Sequence, residues 1–320
     1  MSSPSLSVPA IPAAQQSTAS APANTASSPI ERIGNGRVAQ TGRGRLVLQN
    51  ISKNFTGSTV HALQDISITC EPGEFVVVVG PSGCGKSTLL NIAAGMIQPD
   101  TGHITLDDRP TDGPGPDRAM VFQEHGLFPW LTAGQNIEFG LKMSGVAKPE
   151  RDARVEAALQ LVHLSLKRDK LVHELSGGMR QRVAIARALV MDPSVLLMDE
   201  PFASLDAQTR TLLHEQLQEL WVRTRKTILF VTHSVGEAVR LADRIIILHS
   251  HPGRIRREVQ VSLPHPRNFD SSDITQLVRL VRKEIEDEVN RVNAEMAETY
   301  WKPPTPADLG VDSGLLGDGI

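Results

Sequence analysis

The chain has 320 residues, 40% hydrophobic and 22% charged, and its 33 basic against 36 acidic side chains leave a formal net charge of −3. That is the composition of a globular protein with room for one large domain or two smaller ones, and it excludes disorder throughout. The near balance of charge gives no whole-chain attraction for nucleic acid, so no nucleic-acid partner is expected.

Apolar runs such as 75–79 and 245–248 fall far short of the roughly 20 residues a helix needs to cross a bilayer. Two cysteines, Cys70 and Cys84, cannot build a disulfide framework and suit a reducing compartment. Residues 1–30 carry no charge and are mostly Ser, Ala, Pro, Thr and Gln, so 1–44 reads as a disordered tail. It lacks the basic start and continuous apolar core of a secretory signal and the Arg content of a transit peptide.

Order is expected from Arg45. Leu46, Leu48 and Ile51, then Ile66, Ile68 and Cys70, suggest short strands with a turn around Gly57. Phe75 to Val79 is an unbroken aromatic and β-branched run, the pattern of a strand buried on both faces. Similar runs recur at 195–198, 228–231 and 245–248, with helical patterns at 87–96, 177–191 and 205–223 between them. Strands alternating with helices predict an α/β fold with a mainly parallel sheet.

Gly80-Pro81-Ser82-Gly83-Cys84-Gly85-Lys86-Ser87-Thr88 follows the first buried run and precedes a helix, the context of a phosphate-binding loop. Its glycines let backbone N–H groups turn toward phosphate oxygens, and the helix adds the positive end of its dipole. Lys86 is expected to reach the β- and γ-phosphates and Ser87 to hold Mg²⁺. Val195-Leu196-Leu197-Met198-Asp199-Glu200-Pro201 is an apolar strand ending in two carboxylates. Beside a phosphate loop, one carboxylate (Asp199) suits Mg²⁺ and the other (Glu200) suits positioning or deprotonating an attacking water.

Leu175-Ser176-Gly177-Gly178-Met179 opens a helical stretch, with Ser176 as N-cap and two glycines that admit an anion closely. Here the chain resembles the nucleotide-binding subunits of ABC transporters, whose signature reads Leu-Ser-Gly-Gly-Gln and lies between the phosphate loop and the Asp-Glu strand. The resemblance spans about 45–267. It implies a P-loop NTPase of the ABC type: a mainly parallel core sheet, an antiparallel β subdomain and a helical subdomain at about 125–186.

The resemblance also assigns roles. Gln123 matches the glutamine loop that contacts Mg²⁺ and the attacking water near the permease. Asp206, in Ser204-Leu205-Asp206-Ala207, matches the D-loop at the dimer interface. His233, by itself an ordinary polar residue at a strand end, matches the switch histidine at the γ-phosphate. Phe55 matches the aromatic residue that stacks on adenine, and equally suits the core of an early strand. Met179 replaces the usual signature Gln, and Ser234 follows His233 where the family often has Asp. Cys84 stands where the family commonly has Cys.

Within the family, the stretches 112–118, 122–124, 127–130, 200–210, 252–255 and 263–267 look like those of importers of nitrate, taurine and aliphatic sulfonates. The resemblance implies ATP and Mg²⁺, a head-to-tail dimer of two copies, integral-membrane permease subunits, an extracytoplasmic solute-binding protein, and a peripheral place on the cytoplasmic face of the membrane. Rival readings are a soluble ABC ATPase of translation or DNA repair and a non-hydrolysing regulatory subunit. Compact spacing and a single cassette argue against the first, and Glu200 with His233 against the second.

Beyond Pro266, apolar residues Ile274, Leu277, Val278, Val281, Ile285, Val289, Val292 and Met296 recur every three or four positions, predicting an amphipathic helix within 268–300, capped by Ser271 or Ser272. Its stripe suits docking on its own domain, on a second copy or on another protein. Residues 301–320 read as a disordered end. His249 and His251 lack the further ligands that zinc needs.

Overall fold

A computed structural model describes residues 42–55, 61–249, 252–267 and 271–300. The expected turn at Gly57, His251, the end segment 301–320 and nearly all of 1–44 lie outside them.

β1 (Leu46–Lys53) and β2 (Leu63–Cys70) pair antiparallel and bury the predicted apolar face, Leu46, Leu48, Ile51, Ile66, Ile68 and Cys70. β3 (Phe75–Val79) is buried at all five positions. The phosphate loop then leads into α1 (Lys86–Ala93), which stops three residues before the predicted 87–96 helix does. Gly95 N–H bonds back to Ile92 O and Met96 N–H to Asn91 O, the pair of bonds that closes a helix through a glycine.

β4 (Thr101–Leu106), the short β5 (Arg109–Pro110) and β6 (Arg118–Val121) follow. Three helices come next: α2 (Ala133–Met143), α3 (Lys148–Leu161) and α4 (Gly177–Leu189). The chain continues through β7 (Val195–Asp199), α5 (Ala207–Thr224), β8 (Thr227–Thr232), α6 (Val235–Leu241), β9 (Arg244–His249), β10 (Arg254–Gln260) and α7 (Ser272–Tyr300).

β2-β1-β4-β5 form an antiparallel sheet, and β10-β9-β3-β8-β7-β6 a larger one that is parallel except for β10. Alternation along the parallel strands separates two cores. Val77, Val79, Leu196, Met198, Ile228, Phe230, Ile245 and Ile247 face the side covered by α4, α5 and α6. Val76, Val78, Leu197, Leu229, Val231, Ile246 and Leu248 face α1 and the antiparallel sheet. A strand sandwiched this way has no polar side, which is why its sequence shows no alternation. Among the described residues no helix is long and apolar enough to cross a membrane.

Ser271 caps the start of α7, its Oγ accepting from Ile274 N at 3.4 Å. Ile274 and Val281 are buried, and Leu277, Val278 and Ile285 pack against the main core, so this part of the stripe docks on its own domain. The side chains of Val289, Val292 and Met296 lie outside the described residues.

Residues 261–267, which follow β10, are pinned by buried polar groups. The Arg267 guanidinium donates to the carbonyls of Val239, Ala242, Val261 and Leu263. His265 lies 3.2 Å from Asp243 Oδ1, whose other oxygen accepts from Phe75 N at 3.0 Å. Burial pushes the Asp243 carboxyl up, but the hydrogen bonds from His265 and Phe75 N–H outweigh it and hold the carboxyl below its ordinary value. A depressed carboxyl stabilises the fold above the unfolded-chain value of about 3.9, and that contribution is lost as pH falls through the folded-state value.

Asp243→Asn is therefore expected to cost about 1–3 kcal/mol at pH 7, with the gap to the parent closing below about pH 4. Thermal unfolding across that range checks this; a gap that stays constant would refute it.

Candidate active site

The parallel registers bring the site together. Val79 is level with Thr232, Asp199 with Val231, and Val121 with Met198, so Gly80, His233, Glu200 and Gln123 all follow strands ending at one sheet edge. Ligand sites of open α/β sheets lie at that edge.

The phosphate loop wraps over the start of α1. At Gly85, φ is +93°, and a Cβ there would fall 2.6 Å from both Ala62 O and Leu63 Cδ2, so a side chain would push the loop off β2. Lys86, only 6% exposed, donates to Gly80 O and Pro81 O at 3.0 Å each and lies 4.0 Å from Glu200 Oε1. Cys84 is a buried free thiol, pushed up by burial against the pull of Lys86. Pro81, Ser82, Gly83 and Thr88 complete the loop, with Ser82 and Gly83 exposed at its tip.

Two contacts join the loop to the carboxylates. Ser87 Oγ donates to Asp199 Oδ1 at 3.1 Å. Burial pushes the Asp199 carboxyl above its ordinary value and the Glu200 charge adds to this, against the Ser87 bond and the Lys86 charge. A partly desolvated carboxylate beside a hydroxyl is a donor set that suits a hard divalent cation. Glu200 Oε2 accepts from His233 Nδ1 at 2.7 Å when the carboxylate is ionised. The Glu200 backbone sits at φ +40°, uncommon for a residue with a Cβ, and its N–H is tied to Val231 O at 3.0 Å.

A second group forms at two helix N-termini. Ser176 Oγ accepts from Met179 N at 3.3 Å and caps α4, leaving Gly177 and Gly178 in its first turn. Asp206 Oδ1 accepts from Thr209 N at 2.9 Å and caps α5. The helices meet there, since a Cβ on Gly178 would fall 2.5 Å from Thr209 Cγ2. Met179 is partly buried against the main core.

Gln123 is exposed beyond β6. Phe55 is 45% exposed, with Lys53 Nζ 5.9 Å from its ring centre, so its reading as a core residue is corrected: it projects past the end of β1 instead of packing under it.

Some supporting residues have no sequence signal for the part they play. Gly253 sits in the turn before β10, and a Cβ there would fall 2.4 Å from Cys84 O, so that turn braces the phosphate loop. Buried Asn136 accepts from Phe128 N and donates to the carbonyls of Phe128 and Thr132, shaping the loop that carries exposed Trp130. Arg187 of α4 donates to Gly126 O at 2.6 Å and His125 O at 3.1 Å, tying the segment after Gln123 to the signature helix.

Comparison with known proteins agrees with this architecture. Residues 63–203 match the ABC transporter family. The chain is 44% identical over 77% of its length to an uncharacterized ABC transporter ATP-binding protein of Methanocaldococcus jannaschii, covering 92% of that protein. It is 48% identical to a nitrate import ATP-binding protein of Synechocystis, over 68% of this chain and 83% of the relative. It is 46% identical to a taurine import ATP-binding protein of Roseobacter denitrificans, over 68% and 82%. Among solved structures, a dimeric ATP-binding cassette bound to ADP and phosphate superposes with a TM-score of 0.61 at 32% identity, over 68% of this chain and all of that one. With the phosphate loop, the Asp-Glu strand and the signature helix assembled on this fold, the chain belongs to the ABC transporter family as one of its ATP-binding, ATP-hydrolysing proteins.

Proposed function

We propose that the chain is the ATPase subunit of an importer that takes up a small anion of the nitrate, taurine or aliphatic-sulfonate type across the cytoplasmic membrane. The observation that carries hydrolysis is the Glu200–His233 contact at 2.7 Å, beside Lys86 on the phosphate loop. The cargo class rests on the similarity to nitrate and taurine import proteins. Residues 45–267 form the ATPase domain, with the helical subdomain at about 125–186, and 268–300 an appended helix.

In this reading two copies pair, as supported by the dimeric cassette, and a head-to-tail arrangement sets the signature glycines of one opposite the phosphate loop of the other. ATP lies between residues 80–88 of one copy and Ser176, Gly177 and Gly178 of the other, with Phe55 against adenine and Asp206 across the interface. The helix N-terminus capped by Ser176 offers unbonded N–H groups and a positive dipole end to the γ-phosphate. Glu200 orients and deprotonates the attacking water, and His233 holds the γ-phosphate end of the site. Ser87, Asp199 and Gln123 would hold Mg²⁺, which would supply positive charge to neutralise the phosphate oxygens.

ATP closes this dimer, and its reopening reaches the permease through the regions of Gln123 and Trp130, the latter 72% exposed. The chain works at the cytoplasmic face, and a solute-binding protein outside delivers the anion.

The test is purification of the tagged chain from its native membranes in mild detergent, with uptake assays in a strain lacking it. A co-purifying multi-span permease and loss of uptake of one of these anions are the expected results. Ribosomes or DNA-repair factors in place of a permease would overturn the importer reading and leave only the nucleotide chemistry.

A further inference from the structure

Ser234-Val235-Gly236-Glu237 has the spacing of a capping box, in which the Glu three residues after the Ser folds back onto the cap's own N–H. The carboxylate goes elsewhere. Ser234 Oγ does accept from Glu237 N at 3.4 Å, but Ser234 N–H donates to Thr232 Oγ1 at 3.0 Å. The Thr232 hydroxyl donates in turn to Glu237 Oε2 at 2.6 Å, so a side chain from the far side of His233 is inserted into the box. Glu237 Oε1 lies 3.3 Å from His214 Nε2 on α5, which donates to it as long as the carboxylate is ionised.

All three side chains are withdrawn from water: Glu237 is 5% exposed, and Thr232 and His214 1% each. Burial pushes the Glu237 carboxyl up, but the bonds from His214 and Thr232 outweigh it and hold it below its ordinary value. A buried charge is weak evidence for stability, because apolar side chains of similar volume serve at least as well. What this one does is geometric. The backbone of His233 is clasped at Thr232 and Ser234, and its ring leaves this clasp to meet Glu200.

We propose that Glu237 is a positioning residue for ATP hydrolysis: through Thr232 and Ser234 it fixes the backbone that aims His233 at Glu200, and through His214 it ties that loop to α5, the helix capped by Asp206. Glu237 is buried and spends its carboxylate on Thr232 and His214, so its effect reaches the reacting groups through His233. The inference rests on the roles given above to His233 and Glu200. A Gln at 237 brings one acceptor oxygen and one NH₂ group where the carboxylate brings two acceptors, so either the Thr232 hydroxyl or His214 must give up its bond or turn from donor to acceptor.

The test is a double-mutant cycle of kcat, KM and ATP affinity for the parent, Glu237→Gln, His233→Ala and the double variant. Glu237→Gln should lower kcat roughly tenfold, within the loss a small misplacement causes, while ATP affinity stays within about twofold. In the His233→Ala background the same change should alter kcat by less than about twofold, since there is no imidazole left to aim. His214→Leu should repeat the Glu237→Gln result, and His214→Gln, which keeps an N–H donor, should restore most of the rate. These carry the test if Glu237→Gln fails to fold.

Equal losses from Glu237→Gln with and without His233 would overturn the positioning role alone. A parental rate in His233→Ala would overturn the role of His233 and this inference with it.

Discussion

Glu200→Gln is expected to lower steady-state ATP turnover by roughly 10²–10³-fold, within the range for loss of a general base, while ATP binding stays at the parental level. The substitution is nearly isosteric, and its amide oxygen still accepts from His233 Nδ1, which Glu200 now holds at 2.7 Å. The backbone at φ +40° suits Gln as well as it suits Glu. What disappears, in the role proposed for Glu200, is the ability to take a proton from water in the step that breaks the γ-phosphate bond. Lys86, 4.0 Å from Glu200, loses a counterion and gains nothing that competes with phosphate. In the proposed mechanism ATP therefore still closes the dimer, and the variant should accumulate as an ATP-loaded dimer in size-exclusion chromatography. Single-turnover hydrolysis reads the chemical step directly, and a parental rate there would remove Glu200 from the mechanism.

The parts of the site legible in the sequence are those whose physics is local. A strand covered on both sides must be apolar throughout, so β3, β7, β8 and β9 stand out as unbroken runs. A loop that turns its N–H groups inward needs glycines at fixed spacing and a helix behind it. The helix ends were less legible, since α1 stops where Gly95 and Met96 bond back to its last turn. β10, Arg-Ile-Arg-Arg-Glu-Val-Gln, is an edge strand whose charges hide its pairing with β9.

α3 buries only Val155, Ala158 and Leu159 and so leaves little periodic signal. The tail helix shows the opposite limit: periodicity marked its apolar face, but only the packing of Ile274 and Val281 tells what that face meets. Least legible were the long-range supports. Gly253, Asn136, Arg187 and Glu237 each act on a backbone segment that the fold brings to them, and neither composition nor spacing records such a meeting.

Lys86→Ala should separate binding from chemistry. The ammonium is bonded to Gly80 O and Pro81 O, so the loop already holds it at its own mouth, where the β- and γ-phosphates are placed by the proposed mode of binding. A hydrogen bond to a charged group is worth about 1.5–3 kcal/mol. Two such bonds to phosphate make the expected loss of ATP affinity roughly 10²–10⁴-fold. Arg is not expected to rescue it, because a planar fork does not fit a slot shaped for a point charge that is 6% exposed.

Thermal unfolding with and without ATP is the direct readout, since a ligand bound only to the folded state raises the midpoint with the logarithm of its concentration over Kd. The parent and Glu200→Gln should both show that rise, and Lys86→Ala should lose it at the same ATP concentration. An undiminished rise in Lys86→Ala would mean that the glycine loop and helix dipole hold the nucleotide without the ammonium. Lys86 would then belong with Glu200 as a group for turnover.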